Sequence, residues 1–339
     1  MNLSEIVAHA VNKERFRSVQ DYIDFCKRYL DFTNFGIQAV ILAQNEQHYK
    51  FLQYKDDGYR NVTRPINSSL MLDPDNFSSF SKDFLDLLEA LKDRQQPDDS
   101  MREVITKTIY TLQQSIGAAL DALPAGASNQ ARKINGDLFE RLIKLLISSL
   151  GVDCTSGIVK VPVKDDDGVE LFKSSYQHDL LINNHGELKI IGSVKTSSKD
   201  RIDKIFMDKF LYGKLTGTDI PHIAIFLNDV QRAQKRNKQT GQPAYGVSAT
   251  FLPGHFKAFT IKLNPLDGVY YCDIRPAMGV DSITKKHIQT IDHFFYSDLW
   301  QLLNRQGQPL AGIEIKEGEF PEGKGNNPDS SEVLFRGGE

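Results

Sequence analysis

The stretch QHDLLINNHGELKIIGSVKTSSKDRIDKIFMDKF, from Gln177 to Phe210, constrains the fold more than any other part of the chain. It reads as a strand, a tight turn at Asn184-His185-Gly186, a second strand ending at Lys195, and a charged helix from Ile202 to Leu215. HIAIFLN, His222 to Asn228, follows as an unbroken apolar run, which suits a strand buried on both faces. Upstream, GDLFERLIKLLISSLG is a strongly apolar helix that Gly151 can end in a left-handed cap. Helix, hairpin, helix and strand in that order predict an α/β core with a mixed central sheet.

Around this core the patterns are more varied. Residues 1–130 read as a mostly helical N-terminal subdomain. Ser18 can cap a helix carrying Tyr22, Ile23, Phe25, Cys26, Tyr29 and Leu30 at helical spacing, and Ser81 precedes a stripe of Phe84, Leu87, Leu88 and Leu91. A further helix is expected from Arg102 to Leu120, and the Leu123-Pro124-Ala125-Gly126 turn is a seam before a catalytic domain over 131–315. Tyr49 to Leu72 fits no pattern. Strands are expected at Ile158–Val163 and Ala258–Leu263, an exposed basic loop at Gln231–Tyr245, and a helix at Thr290–Leu303. The tail, 316–339, is rich in Gly, Glu, Asn and Ser and reads as flexible.

With 339 residues and 40% hydrophobic content, the chain can bury a large core. It has no apolar run of ~18 residues for a membrane span, and its start lacks a signal-peptide core. The scattered cysteines Cys26, Cys154 and Cys272 fit a reducing cytoplasm better than disulfides or zinc. A net charge of −3 is neutral evidence on nucleic acid, because a cleft can be locally basic. No Walker loop or dinucleotide glycine fingerprint occurs.

Alternation puts Ser193 and Lys195 on one face of their strand and Gly192 and Val194 on the other. Asp179, on the preceding strand, can face Lys195 if the register permits. A carboxylate and an ammonium so placed can hold a divalent metal and an attacking water beside a phosphodiester. Glu140, on the apolar helix, is a candidate third group, and Asp208, on the helix after the hairpin, a fourth; Asp203 competes with it. Asp165, Asp166, Asp167, Glu170 and Glu187 are nearby alternatives, although three consecutive aspartates suit a solvated loop. His178 would point away from Asp179 and reads as structural.

Asp179 followed by Ser193-Val-Lys195 resembles the PD-(D/E)xK nuclease superfamily, and within it type II restriction endonucleases. The usual acid two residues before the lysine is Ser193, which resembles the EcoRII, SsoII and NgoMIV type branch that cuts sites built on CC and GG. There the missing acid comes from the following helix, and Asp208, thirteen residues beyond Lys195, matches that position in type, where glutamate is commoner. Lys195-Thr-Ser-Ser-Lys199-Asp200-Arg201 is similar to the branch's catalytic lysine followed by a basic-acidic-basic triplet that reads CC:GG pairs, with Lys199 where arginine is commoner. Arginine can donate bidentately to guanine while an acid accepts from cytosine. Gly136 to Glu140, GDLFE, resembles the helix that brings a supporting glutamate. The match covers roughly residues 135–230.

The resemblance implies a restriction-endonuclease-like core and Mg2+-dependent cleavage of both strands of a short palindromic duplex containing CC and GG, leaving 5′-phosphates. Asp179, Asp208 and Glu140 would hold the metal and Lys195 would act on the water, beside Ser193. Lys199, Asp200 and Arg201 would read bases, while Arg232, Lys235 and Arg236 would contact phosphates. A two-fold site implies a homodimer, and self-protection implies a cognate DNA methyltransferase as a genetic partner. Two alternatives stay open: another nuclease of the superfamily, acting in repair or on modified DNA, or a non-catalytic DNA-binding module of the same fold.

Overall fold

Capping boxes start the first two helices, Asn2 with Glu5 at α1 (Leu3–Val11) and Ser18 with Asp21 at α2 (Val19–Gly36). The computed structural model describes residues 2–55, 62–95, 97–199, 201–236, 241, 243–305 and 313–318, without the side chains at 234–236, 243 and 317. After α2 comes a small antiparallel sheet, β1 (Ile37–Leu42), β2 (Tyr49–Tyr54) and β3 (Ile66–Asn67), whose last two strands lie within Tyr49–Leu72. Helices α3 (Pro74–Lys92), α4 (Arg102–Leu120) and α5 (Ser128–Ser149) follow. Every residue of α4 from Thr108 to Leu120 is buried. Its polar side chains therefore need internal partners, and Gln113 donates to both the carbonyl and the side chain of Asn135 at 2.9 Å.

The main sheet has seven strands. Its hairpin portion comprises β4 (Asp153–Lys164), β5 (Glu170–Asn184) and β6 (Glu187–Ser197). Next are α6 (Ile202–Thr216) and β7 (His222–Asn228), which is buried at all seven positions. A separate ribbon, β8 (Val230–Arg236) with β9 (Pro243–Ala249), precedes α7 (Pro253–Lys262), β10 (Gly268–Tyr271), α8 (Ser282–His287) and β11 (Ile288–Thr290). A C-terminal helical segment contains a π-helical turn, Phe294–Asp298, between Ile291–His293 and Leu299–Leu303. The last strand is β12 (Glu314–Glu317). Strand order is β11-β10-β7-β6-β5-β4-β12, parallel from β11 to β6 and antiparallel from β6 to β12. β6 is thus the strand at which the sheet changes sense.

One apolar cluster runs from Leu3 to Leu303 and takes in Leu138 and Phe139 of α5 with Leu180, Val194 and Ile225 of the sheet. The helices before residue 130 and the sheet after it share a core. A second cluster packs α6 and α7 against Ala224 and Phe226, and a third joins Tyr212 of α6 to Leu181 and Ile191. Helices therefore cover both faces, as a sheet with a fully apolar central strand requires.

Three expectations change. Ala258–Leu263 lies mostly in α7 rather than a strand, because buried Phe256 and Thr260 with half-buried Phe259 repeat at helical spacing and Pro253 opens the first turn. Much of Gln231–Tyr245 forms the β8–β9 ribbon instead of a loop. Val230 and Val247 turn inward to pack with Ala43, Phe51 and Val62, while the polar residues between them mask the alternation. Lys316 belongs to β12, hydrogen-bonded along β4, and 319–339 lie outside the described residues.

Candidate active site

Strands β5 and β6 pair from Asn184↔Glu187 up to Leu180↔Gly192 and then part. On its other side β5 carries an irregularity against β4. Thr155 faces Leu181 and Gly157 faces His178, so Asp179 and Leu180 together oppose the single residue Ser156. Such a bulge kinks the strand and re-aims a side chain, and here it coincides with the end of pairing to β6. The Asp179 carboxylate occupies the resulting fork: its Oδ2 accepts from the Val194 backbone N–H at 2.8 Å and from Lys195 Nζ at 2.5 Å.

Lys195 is fixed from the other direction by helix α5, where Glu140 Oε1 accepts from Nζ at 2.8 Å. The N-terminal helices hold that part of α5 in place. Tyr22 donates its hydroxyl to the Leu138 carbonyl at 2.8 Å, Lys13 pairs with Asp137 at 3.0 Å, and Arg141 donates to the Lys13 carbonyl at 2.7 Å. Gly192 lets β5 come close, since a Cβ there would lie 2.9 Å from Leu180 Cδ1. Lys195, Glu140 and Asp179 remain open to solvent, with side chains 27%, 32% and 14% exposed.

The electrostatics are unbalanced: two carboxylates share one ammonium. Burial and the neighbouring charge of Asp179 push the Glu140 carboxyl up to about 7, and Lys195 offsets only part of this. Burial works against the Lys195 ammonium, yet the two carboxylates outweigh it and raise its pKa, so the lysine is a cation at neutral pH. A carboxyl held above its ordinary range by burial and an acid neighbour is a place where a hard divalent cation would relieve repulsion. Oxygen-only donors fit Mg2+, which takes one or two carboxylates and fills its other positions with water and phosphate.

The remaining sequence candidates are dispersed. Ser193 is half-buried and paired with Ala224 of β7; it brings no carboxylate. Asp208 is ion-paired with Lys204 one turn earlier on α6. Among the described residues no three His, Cys, Asp or Glu side chains gather as a metal cluster. Lys199 and Arg201 are exposed beyond the end of β6, and Asp200 lies outside the described residues. Arg232, on β8, is exposed and donates to the Val62 carbonyl, while the side chains of Lys235 and Arg236 lie outside the description. The three consecutive aspartates form the β4–β5 turn, where Asp165 accepts from the amides of Asp167 and Val169. His178 is buried on the far side against His222.

Two features escaped the sequence. The Val194 amide is a backbone donor with no side-chain signature. A half-buried cluster at the carboxyl ends of the parallel strands, in which Arg275 pairs with Glu46 and with buried Asp229, joins residues from three distant segments.

The chain superposes on the type IIP restriction endonuclease Kpn2I over 91% of its length and 99% of that chain, with a TM-score of 0.62 and 16% identity. The fold is restriction-endonuclease-like. A looser likeness, TM-score 0.40 at 14% identity, covers 66% of the chain and 91% of the restriction endonuclease PspGI in its complex with substrate DNA. No family model matches the chain, and no curated protein sequence matches it.

Proposed function

We propose that this protein is a type II restriction endonuclease that cuts both strands of a short palindromic DNA site containing CC and GG, with Mg2+, and leaves 5′-phosphates. The observation that carries the reading is the contact of Lys195 Nζ with both Asp179 and Glu140 at the fork between β5 and β6. The fold shared with Kpn2I supports it.

In this reading Asp179 and Glu140 would hold the metal, with Asp208 of α6 joining them on leaving its ion pair with Lys204. A bound Mg2+ supplies Lewis-acid polarisation of the phosphate and lowers the pKa of its water. Lys195, charged because of its two carboxylate neighbours, orients the attacking water and stabilises charge developing on the phosphoryl oxygens. The Val194 N–H keeps Asp179 aimed at the reacting centre. Lys199, Asp200 and Arg201 follow directly from the catalytic strand, so base readout and chemistry share one piece of backbone. Arg232, Lys235 and Arg236 on the ribbon contact phosphates. A palindromic site is matched by a homodimer with one active centre per strand, and a cognate methyltransferase protects the host's own sites.

Incubating the full-length protein with Mg2+ and a plasmid of known sequence, then mapping the ends, tests this reading. Discrete ends at one repeated CC/GG motif, each with a 5′-phosphate, are expected. Ends scattered without sequence preference would favour a repair-type nuclease, and binding without cleavage a non-catalytic DNA-binding module.

A further inference from the structure

Thr250 directly follows β9 and sits at the carboxyl ends of β6 and β7, about fifty residues from the triplet Lys199-Asp200-Arg201. Its backbone N–H and its hydroxyl both reach the Asp229 carbonyl, at 2.6 and 2.8 Å. A carbonyl only accepts, so the single hydroxyl proton of Thr250 is committed there. The Thr250 oxygen is then left as an acceptor. Two serine hydroxyls face it, Ser198 Oγ at 3.2 Å and Ser197 Oγ at 3.4 Å, and both must donate. Ser197 Oγ in turn accepts the Lys199 N–H at 3.3 Å, and the Ser198 carbonyl accepts the Arg201 N–H at 3.2 Å.

The direction of both serine hydroxyl bonds follows from one carbonyl. Asp229 is itself held: its carboxylate lies 3.6 Å from Arg275, which also pairs with Glu46. Ser198 is buried, with the Tyr271 hydroxyl as its other neighbour, so loss of the Thr250 oxygen would remove one of two partners from a hydroxyl in the protein interior. The catalytic strand ends at Ser197, and the Thr250 side chain anchors that residue and the next.

We infer that Thr250 is a positioning residue that locks Ser197 and Ser198 to the root of the β8–β9 ribbon, setting Arg201 and Lys199 relative to Lys195. The inference rests on the proposed nuclease reading for its consequence, since the locked residues lead directly into the segment assigned to base readout. Ribbon and readout segment then move as one body, and DNA seated against the ribbon is registered to the lysine that acts on the phosphate.

The test compares Thr250→Val, which keeps the shape and removes the hydroxyl, with Thr250→Ser, which keeps the hydroxyl. Ser198→Ala is a second variant in case T250V folds poorly. Two quantities are read on full-length protein: backbone hydrogen exchange over 197–201 without DNA, and single-turnover cleavage of the mapped site against duplexes with one base pair changed. For T250V, exchange about tenfold faster and discrimination about tenfold lower are expected, with the single-turnover rate on the mapped site within about threefold of wild type. T250S should stay within about twofold of wild type, and S198A should fall between the two. Exchange unchanged in T250V and S198A would overturn the inference even if the wild type cuts DNA as proposed. Faster exchange with unchanged discrimination would reduce Thr250 to a structural tie. A wild type that cuts no DNA, with T250V still freeing the segment, would remove the nuclease reading and leave the anchoring intact.

Discussion

Asp179 Oδ2 lies 2.5 Å from Lys195 Nζ and 2.8 Å from the backbone N–H of the residue before it. One carboxylate thus grips both the side chain it works with and the strand that carries it. The bulge at Asp179 and Leu180 and the parting of β5 from β6 make this possible, because neither strand in regular pairing would leave room for a side chain between them.

Glu140 should report the charge imbalance directly. Its carboxyl, raised to about 7 by burial and by Asp179, is expected to titrate near neutrality in metal-free protein. Asp179→Asn removes the neighbouring charge and should move the midpoint down toward the ordinary glutamate range. Added Mg2+ should lower it in the wild type, since a ligating carboxylate must be ionised. Carboxyl carbon chemical shifts followed by NMR across pH 4–9 check this. A midpoint unmoved by D179N would contradict the coupling.

His222 gives a pH signature on the other face of the sheet. Burial pushes it down to about 4, and the 2.8 Å contact with the Ile220 carbonyl offsets only part of that. The unfolded chain binds this proton from about pH 6.5 downward, whereas the folded chain resists until about 4. The stabilising contribution is therefore complete above pH 6.5 and is lost progressively as pH falls to 4, by up to ~3 kcal/mol. His222→Asn keeps a donor for Ile220 and does not titrate. It should be less stable than wild type at pH 7.5, with the gap narrowing by about 2–3 kcal/mol at pH 4.5 in urea unfolding. A constant gap would refute the assignment.

Gly192→Ala should cost about 1–3 kcal/mol, because the new Cβ meets Leu180 Cδ1 at 2.9 Å and Ile223 Cγ1 at 3.3 Å in a packed core. Leu180 adjoins Asp179, so the shift that relieves the clash should also slow cleavage. Denaturant midpoints and single-turnover rates on the same variant measure both; a stable G192A with full activity would show that the fork tolerates displacement.

The proposed readout and phosphate roles separate by salt. Arg201→Ala is expected to weaken binding to the cognate site by ~1–3 kcal/mol, with much less effect on unrelated DNA. Arg232→Ala should weaken binding to all sequences alike and reduce the salt slope by about one. Binding isotherms at several salt concentrations on both DNAs distinguish them. Equal losses on cognate and unrelated DNA for R201A would reassign that residue to the backbone.

Much of this was legible in the sequence because its signals are local. The β5–β6 hairpin, α6 and the apolar β7 each declare themselves within one continuous stretch of chain, and Glu140 stands out as an acid on an apolar helix. What stayed hidden depends on pairing between distant segments. The bulge exists only in register with β4, so alternation along β5 could not show how Asp179 enters the fork. The β8–β9 ribbon looks like a loop because its inward positions are interleaved with Gln, Arg and Lys. In α7, the run Ala258 to Leu263 has strand-like composition, and only the core beneath Phe256 and Thr260 makes it helical. Thr250, Asp229 and Arg275 carry no motif at all.

The central claim is that Lys195, held between Asp179 and Glu140, drives phosphodiester hydrolysis. It is tested most directly by single-turnover cleavage of the mapped DNA site with Mg2+, comparing wild type with Lys195→Ala and Asp179→Ala at equal site occupancy. A fall of about a thousandfold or more in both variants, with DNA binding retained, is the result expected. Cleavage by either variant within tenfold of wild type would contradict it.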